Sequence, residues 1–543
     1  MLGPRNILFY SLLFYFYKYY ISYNYNQKNS KKRNEKDKKL YNIFNNKHQV
    51  ICNSNKYILD TAHHKYLKFS HILSKKNYIK PSDFLWGVSM ASHQNEGFNN
   101  NNNWRLWEIQ LNIEQNIYGC GSWLYFEEEI KHLKKLNINS YRISIEWSRI
   151  MPKEGEICYD SLNKYKQWIK LLKDNDIIPM VTLHHFTRPS WVDIKYSGLH
   201  NPDIIPVFIE YIELVAKHFD KDVKYWITFN EPLMELVNGY IVGSRPPGMN
   251  KNFDMLMKAL LNICIIHGKG YKILHHYNPD CQVSIAKNLC VFETYNSNDP
   301  LKVLVTQKFE YLYNYAILDA LTSGVLNTQF NFLLYNFGIH HESAEFKNTL
   351  DFIGVNHYNI AYIKTNYLNG MIDVELSNKY NNYKKNDMNW DICPSSSYWI
   401  FKEIWSRYNK YMMITENGCC DNSIDKTRAI DFMKYTMNNI KTALKEDIDI
   451  RGYFCWTVFD NFEWNEGFVP KFGLFTTNFQ LLEHQINKNS KIDNSKVINN
   501  YGKFYKKVIK LNRKNNSVSS AGVSSADVSS AGVSSACANV NDA

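Results

Sequence analysis

The 543-residue sequence has no Cys-x-x-Cys pair and no His-Glu-x-x-His, and no Gly-x-Gly-x-x-Gly follows its first strand signal. Paired-thiolate metal sites, the two-histidine zinc helix and the dinucleotide-binding turn therefore have no carrier here. Long apolar runs are also missing near the start: residues 7–17 (ILFYSLLFYFY) number eleven, short of the roughly 20 needed to span a bilayer. No stable transmembrane segment is expected. Eleven cysteines sit mostly singly within apolar runs, as Cys264, Cys281, Cys290 and Cys455 do, which reads as buried free thiols. Adjacent Cys419 and Cys420 leave a strained vicinal disulfide open.

Acidic residues are scarce only at one end. Residues 1–80 carry 16 Lys/Arg against three acids, so the total of +12 leaves a balance of −1 for residues 81–543. A nucleic-acid-binding groove needs its positive charge on the folded surface, so no nucleic-acid partner is expected. Residues 1–25 read as a hydrophobic signal-like leader with a basic front, and residues 26–80 as a basic Asn/Lys-rich low-complexity segment. Together they suggest a secretory or organelle address, with a cytoplasmic location as the alternative. Residues 511–543, with four VSSA copies, read as a flexible tail.

What the middle does have is a recurring alternation. Short apolar, β-branched runs at 84–90, 140–146, 177–185, 225–231, 282–288, 351–358, 412–418 and 452–460 are separated by amphipathic stretches such as YKQWIKLLKDN and VFIEYIELVAKHF. Eight βα repeats predict an α/β fold, a (β/α)8 TIM barrel over residues 81–510, in preference to a doubly wound open sheet. Several runs pass from apolar into polar residues at their ends: HH, NE, NHY and TEN. In a barrel those ends share the face that carries the active site.

Two of these ends carry Glu231 and Glu416. Retaining cleavage of a glycosidic bond needs two carboxyl groups about 5–5.5 Å apart, one protonated to help the leaving oxygen and one ionised to attack. Spacing in sequence does not place them face to face. The motifs ITFNEP (227–232) and ITENG (414–418) resemble the two catalytic signatures of glycoside hydrolase family 1, the β-glucosidase family. FLWGVSMASHQNEG, YRISIEWSRIMPKEG, VTLHHFTRPSW, DFIGVNHY, GYFCWTVFDNFEWNEGF and KFGLF resemble its other signatures, in order, from about residue 81 to 510.

The resemblance implies Glu231 as acid/base and Glu416 as nucleophile. It implies Asn230 at the sugar 2-hydroxyl, Arg142 and Tyr358 against the nucleophile, and Asn356 as a polar neighbour. Gln94, His185, Glu463 and Trp464 would bind hydroxyls, Trp456 would lie under the ring, and Trp390 would wall the leaving-group site. Glu463 argues against sugar 6-phosphates, which its carboxylate would repel. The implied activity is that of an O-glycosyl hydrolase acting on an unphosphorylated β-glycoside, small or oligomeric, with no cofactor and no metal. A catalytically silent sugar-binding barrel and a transglycosidase remain as alternatives. The sequence departs from the family pattern in Phe186, where many members have Trp, in GCGSWLYFEEEIKHL, which lacks an Asp-His-Tyr group, and in an asparagine run at 99–103 that reads equally as low-complexity drift. The adjacent His184 and His185 should point to opposite faces of their strand.

Overall fold

The eight apolar runs close on themselves in the computed structural model, which describes residues 68, 70–73, 75 and 81–513 apart from 295–298, 333–334, 367–372, 378–383 and 491–493. The leader, most of the basic segment and nearly all of the tail lie outside the described residues. The strands are β1 Leu85–Ser89, β2 Ser140–Ser144, β3 Ile178–His184, β4 Tyr225–Asn230, β5 Gln282–Asn288, β6 Ile353–Asn356, β7 Met412–Asn417 and β8 Ile450–Trp456. Each pairs with its chain neighbour, and β8 closes the barrel on β1. All eight strand signals thus form the barrel, although β8 ends at Trp456 and the expected residues 457–460 belong to the loop beyond it.

Helices pack outside, one or more after each strand: α1 Ser122–Leu136, α2 Tyr159–Lys173, α3 Ile204–Phe219, α4 Phe253–Tyr277, α5 Ala316–Ser323, α6 Ser396–Tyr408, α7 Thr427–Lys445 and α8 Asn500–Arg513. Their apolar faces recur at helical spacing, as in α3, where Phe208, Tyr211, Ile212, Val215 and Phe219 are buried. These side chains meet the outward-facing residues of the strands in one continuous core. Each large apolar side chain removed from water there contributes roughly 1.5–3 kcal/mol. Ahead of the barrel, Ser70–Leu73 buries Ile72 and Leu73 in the same core.

The barrel's own interior is divided. Leu85, Met180, Ile227, Ala286, Phe352, Met413 and Phe454 form an apolar plug. Above it, toward the strand ends, interior positions become polar: Arg142, Thr182, Asn230, Asn356 and Thr415, all buried.

The change coincides with two irregularities. On β4, Ile227 pairs with Ser284 and Asn230 with Ala286, so β4 holds one residue more than its partner. Thr228 bonds His267 of α4, and Phe229 packs on Phe208 of α3. Both therefore face the helices before Asn230 returns inward. On β7, Val355 pairs with Ile414 and Asn356 with Glu416, so Thr415 is the extra residue. Such bulges re-aim the side chains that follow them, and here each immediately precedes or includes the approach to a glutamate.

The asparagine run is built into this end of the barrel by side-chain hydrogen bonds. Asn102 caps helix Asn103–Leu111, accepting from Arg105 N at 2.8 Å, and its amide lies 3.0 Å from His93 Nδ1. Asn103 Oδ1 accepts from Arg188 N at 3.0 Å, Asn101 Nδ2 donates to Pro152 O at 2.7 Å, and Asn99 Nδ2 to Ser148 Oγ at 2.8 Å. Where an Asp-His-Tyr group is missing, Trp123 packs edge-on against Tyr165 and Trp168 with the Arg149 guanidinium 3.8 Å from its ring centroid. Cys419 and Cys420 are both free thiols, so the vicinal disulfide is not formed. Among the described residues no helix is long and apolar enough to cross a membrane.

Candidate active site

Glu416 lies inside the barrel mouth, 3 % exposed, on the bulged end of β7. Arg142 from β2 donates Nη1 to its Oε1 at 2.6 Å, and Tyr358, two residues past β6, donates its hydroxyl to Oε2 at 2.7 Å. Arg142 is itself fully buried and reaches Thr182 Oγ1 through Nε at 3.0 Å and Asn230 Oδ1 through Nη2 at 2.6 Å. A charge-assisted bond from a buried guanidinium is among the stronger contacts available to a carboxylate. Burial pushes the Glu416 carboxyl up to about 7, the Arg142 charge pulls it down, the Glu231 charge pushes it up, and the bonds from Tyr358 and Arg142 pull it down again.

Glu231 follows Asn230 at the end of β4 and is 6 % exposed. Its backbone is left-handed, φ 42° and ψ 53°, and precedes the short helix Pro232–Leu236. A non-glycine residue in that region is strained by about 1–3 kcal/mol, and the turn is pinned by Glu231 N donating to Ala286 O at 2.7 Å. Its side chain meets amides only: Asn356 Nδ2 at 2.9 Å and Asn288 Nδ2 at 3.1 Å, both on Oε1. Asn356 also donates to Asn230 Oδ1 at 3.1 Å and accepts from Thr415 Oγ1 at 2.7 Å. The two glutamates are thus joined by a continuous network, Glu231–Asn356–Asn230–Arg142–Glu416.

Two buried carboxylates that feel each other disfavour being charged together. A cation and a phenol stabilise the anion of Glu416, whereas two amides give Glu231 much less compensation.

A second group faces the same mouth. His185, just past β3, sits with Nε2 3.1 Å from Asn230 Nδ2, and its ring stacks between Trp456 (centroids 6.0 Å apart, 23°) and Trp464 (6.1 Å, 17°). Burial and the nearby Arg142 charge hold it well below the usual histidine range, so it is a neutral imidazole. His184 points the other way, bonding Glu235 at 2.8 Å and packing on Phe208, so the two histidines do occupy opposite faces. Gln94 donates Nε2 to Phe462 O at 2.8 Å and to Glu463 Oε2 at 3.2 Å. Burial raises the Glu463 carboxyl to about 8, Glu466 adds to the rise, and Arg245 opposes it. Trp390 stands edge-on to Tyr358, 6.0 Å between centroids.

Three polar atoms of this group, Gln94 Oε1, His185 Nδ1 and Arg245 Nη1, are buried without a hydrogen-bond partner. A buried polar group left unpaired costs about 1–3 kcal/mol. Left-handed backbone recurs at Phe186 (φ 69°) and Trp464 (φ 54°), which lie 5.1 Å apart ring to ring.

The structure brings every candidate read from the sequence to this one end of the barrel. It adds groups the sequence reading missed: Asn288 on Glu231; Tyr313, whose hydroxyl donates to Asn288 Oδ1 at 3.1 Å; buried Lys287 beside them; and Arg245, 5.3 Å from the Phe186 ring centroid. One signal was available, since β5 also ends in polar residues, Lys287 and Asn288.

A closed βα barrel that presents two unlike buried glutamates beside a wall of hydroxyl-binding and stacking groups is a glycoside-cleaving barrel. The model of glycosyl hydrolase family 1 matches residues 76–514. The chain is 28% identical over 447 residues to a 1,4-beta-D-glucan glucohydrolase of Thermotoga neapolitana, covering 78% of this chain and 98% of that protein. It is 29% identical to beta-glucosidase A of Acetivibrio thermocellus, covering 80% and 98%. Solved structures agree: a beta-glycosidase from Pyrococcus horikoshii superposes with a TM-score of 0.69 at 30% identity over 80% of this chain and 95% of that one. The family 1 β-glucosidase from Thermotoga maritima gives 0.70 at 25% identity over 80% and 98%. The chain belongs to glycosyl hydrolase family 1, and it is a retaining β-glycosidase that works through a covalent glycosyl-enzyme intermediate.

Proposed function

We propose that the substrate is an unphosphorylated β-D-glucoside or a close epimer, cleaved with Glu231 as acid/base and Glu416 as nucleophile. The observation that carries the assignment is the difference in partners: Arg142 and Tyr358 on Glu416, two amides on Glu231. In the first step Glu416 attacks the anomeric carbon while Glu231 passes its proton to the departing oxygen. Glu231, now ionised, takes a proton from water, which attacks the same carbon and releases Glu416. Asn230, held by Arg142, Asn356 and His185, is the amide for the 2-hydroxyl, whose bond tightens as positive charge builds on the ring.

Gln94, His185, Glu463 and Trp464 bind the other hydroxyls, Trp456 lies under the ring, and Trp390 walls the leaving-group side. Glu463 with Gln94 leaves no place for a 6-phosphate. The relatives named β-glucosidase support glucose as the first sugar to try.

The test is release of nitrophenol from nitrophenyl β-glucoside, β-galactoside and β-glucoside 6-phosphate. Turnover of a neutral sugar, with Glu416→Ala inactive and Glu231→Ala partly restored by azide as the β-glycosyl azide, is the expected result. Preference for the 6-phosphate, or azide rescue that gives the β-glycosyl azide at position 416 and the α-glycosyl azide at position 231, would overturn it.

A further inference from the structure

Behind Glu231, β5 carries a buried lysine between Ala286 and Asn288. Lys287 is 0 % exposed, and no carboxylate lies within ion-pair distance of it among the described residues. Its Nζ donates to the carbonyl of Asn288 and lies 4.5 Å from the centroid of the Tyr313 ring. Asn288 is the residue that donates to Glu231 Oε1, and Tyr313 is the residue that donates to Asn288 Oδ1. Lysine, phenol and amide therefore form one assembly that ends on the Glu231 carboxyl. A lone buried ammonium is a costly thing to keep, and an aliphatic side chain of the same length would fill the space without that cost.

We propose that Lys287 is a positioning residue for Glu231, fixing the Asn288–Tyr313 clamp on Oε1 and supplying a positive charge close to the carboxyl. The proposal rests on Glu231 being the acid/base. A cation there favours the ionised form, so Glu231 is a stronger acid when the leaving group departs and a ready anion when water gives up its proton.

The other groups around this pair are few. Glu231 faces Glu416 from β7, Tyr358 from beyond β6, and Tyr313; Lys287 faces Glu231, Cys290 and Tyr313, and Arg245 acts on Tyr313 from further off. Burial brings the Lys287 ammonium down to about 7, with Glu231 and Cys290 opposing, which puts its charge within the working pH range.

The experiment is the pH dependence of kcat/KM on nitrophenyl β-glucoside for the full chain, Lys287→Met and Lys287→Arg. The alkaline limb reports loss of the proton from the acid. Without the cation that proton is held more firmly, so Lys287→Met should move this limb up, and Lys287→Arg, which stays charged where the lysine begins to lose its proton, should return it or carry it lower. An unmoved limb in a folded Met variant overturns the proposal, whatever happens to kcat.

If Met is not accepted, Lys287→Leu serves for the same reading. Tyr313→Phe keeps the ammonium and should lower kcat with the limb in place; a limb that shifts as far as in the apolar variants overturns the role of charge. Glu231→Ala with azide is run alongside. Absence of rescue removes the acid/base reading itself, whereas rescue with an unmoved limb removes only the role of Lys287.

Discussion

At the ends of β4 and β7 the chain makes the same local construction twice: one residue more than the neighbouring strand, then a buried glutamate turned into the barrel. The surroundings differ. Glu416 receives a guanidinium and a phenol, one on each oxygen, while Glu231 receives two amides on the same oxygen. Depth alone would treat the two carboxyls alike, since both are nearly inaccessible. On the proposed assignment, chemical roles are divided by what touches each group and not by how far each is from water.

The strongest way to break this comparison is to make the two ends isosteric amides. Glu416→Gln should lose activity on the order of 10⁴-fold or more, since no nucleophile remains. Glu231→Gln should lose about 10²–10⁴-fold on nitrophenyl glycosides, and far less with a dinitrophenyl leaving group that needs no proton. Equal losses on both leaving groups would erase the distinction. Next in size, Arg142→Met leaves a buried carboxylate without its cation, a change of about 3–5 kcal/mol, or roughly 10²–10⁴-fold in kcat/KM.

Tyr358→Phe is gentler. It removes one bond to a charged group, about 1.5–3 kcal/mol, and it moves the acid limb of the pH profile. As the proposed nucleophile, Glu416 would attack only when ionised, so activity should rise as pH passes upward through its value of about 7. Loss of a donor that had favoured the anion sends that limb higher, and a limb that falls instead would contradict the assignment.

The smallest effect is on stability, at the β4 side. The Lys287 ammonium is held near 7 in the folded chain against 10.5 ordinarily, so the folded state binds fewer protons than the unfolded one between those values. Stability therefore rises with pH across that window, and the penalty for the buried charge is complete below it. Lys287→Met should raise the unfolding temperature more at pH 6 than at pH 10.

The barrel was legible because each strand is a compact apolar run and each major helix repeats at three and four residues. The two glutamates were legible through the motifs around them. What stayed hidden has identifiable causes. A bulge adds one residue without disturbing the apolar run, so Thr228 and Phe229 facing the same way leave no trace in an alternation pattern. Asn288 and Tyr313 meet across 25 positions of chain, and Lys287 next to an asparagine reads as an ordinary strand end. Excursions were hidden too: Val291–Thr294, Ile360–Asn366 and Asp373–Ser377 form a small separate sheet from segments with no common signature.

The asparagine run carries a consequence for how this chain can vary. Stretches of one repeated residue gain and lose copies readily when genes are replicated, and a tract hanging in solvent would tolerate that drift. Here Asn99, Asn101, Asn102 and Asn103 each hold a different partner, and only Asn100 is exposed. One copy more or fewer would slide Asn102 away from His93 and the helix start, and Asn103 away from Arg188, at the rim beside Phe186 and Trp464. A length variant between Phe98 and Trp104 should be recognised first by what it does to sugar binding.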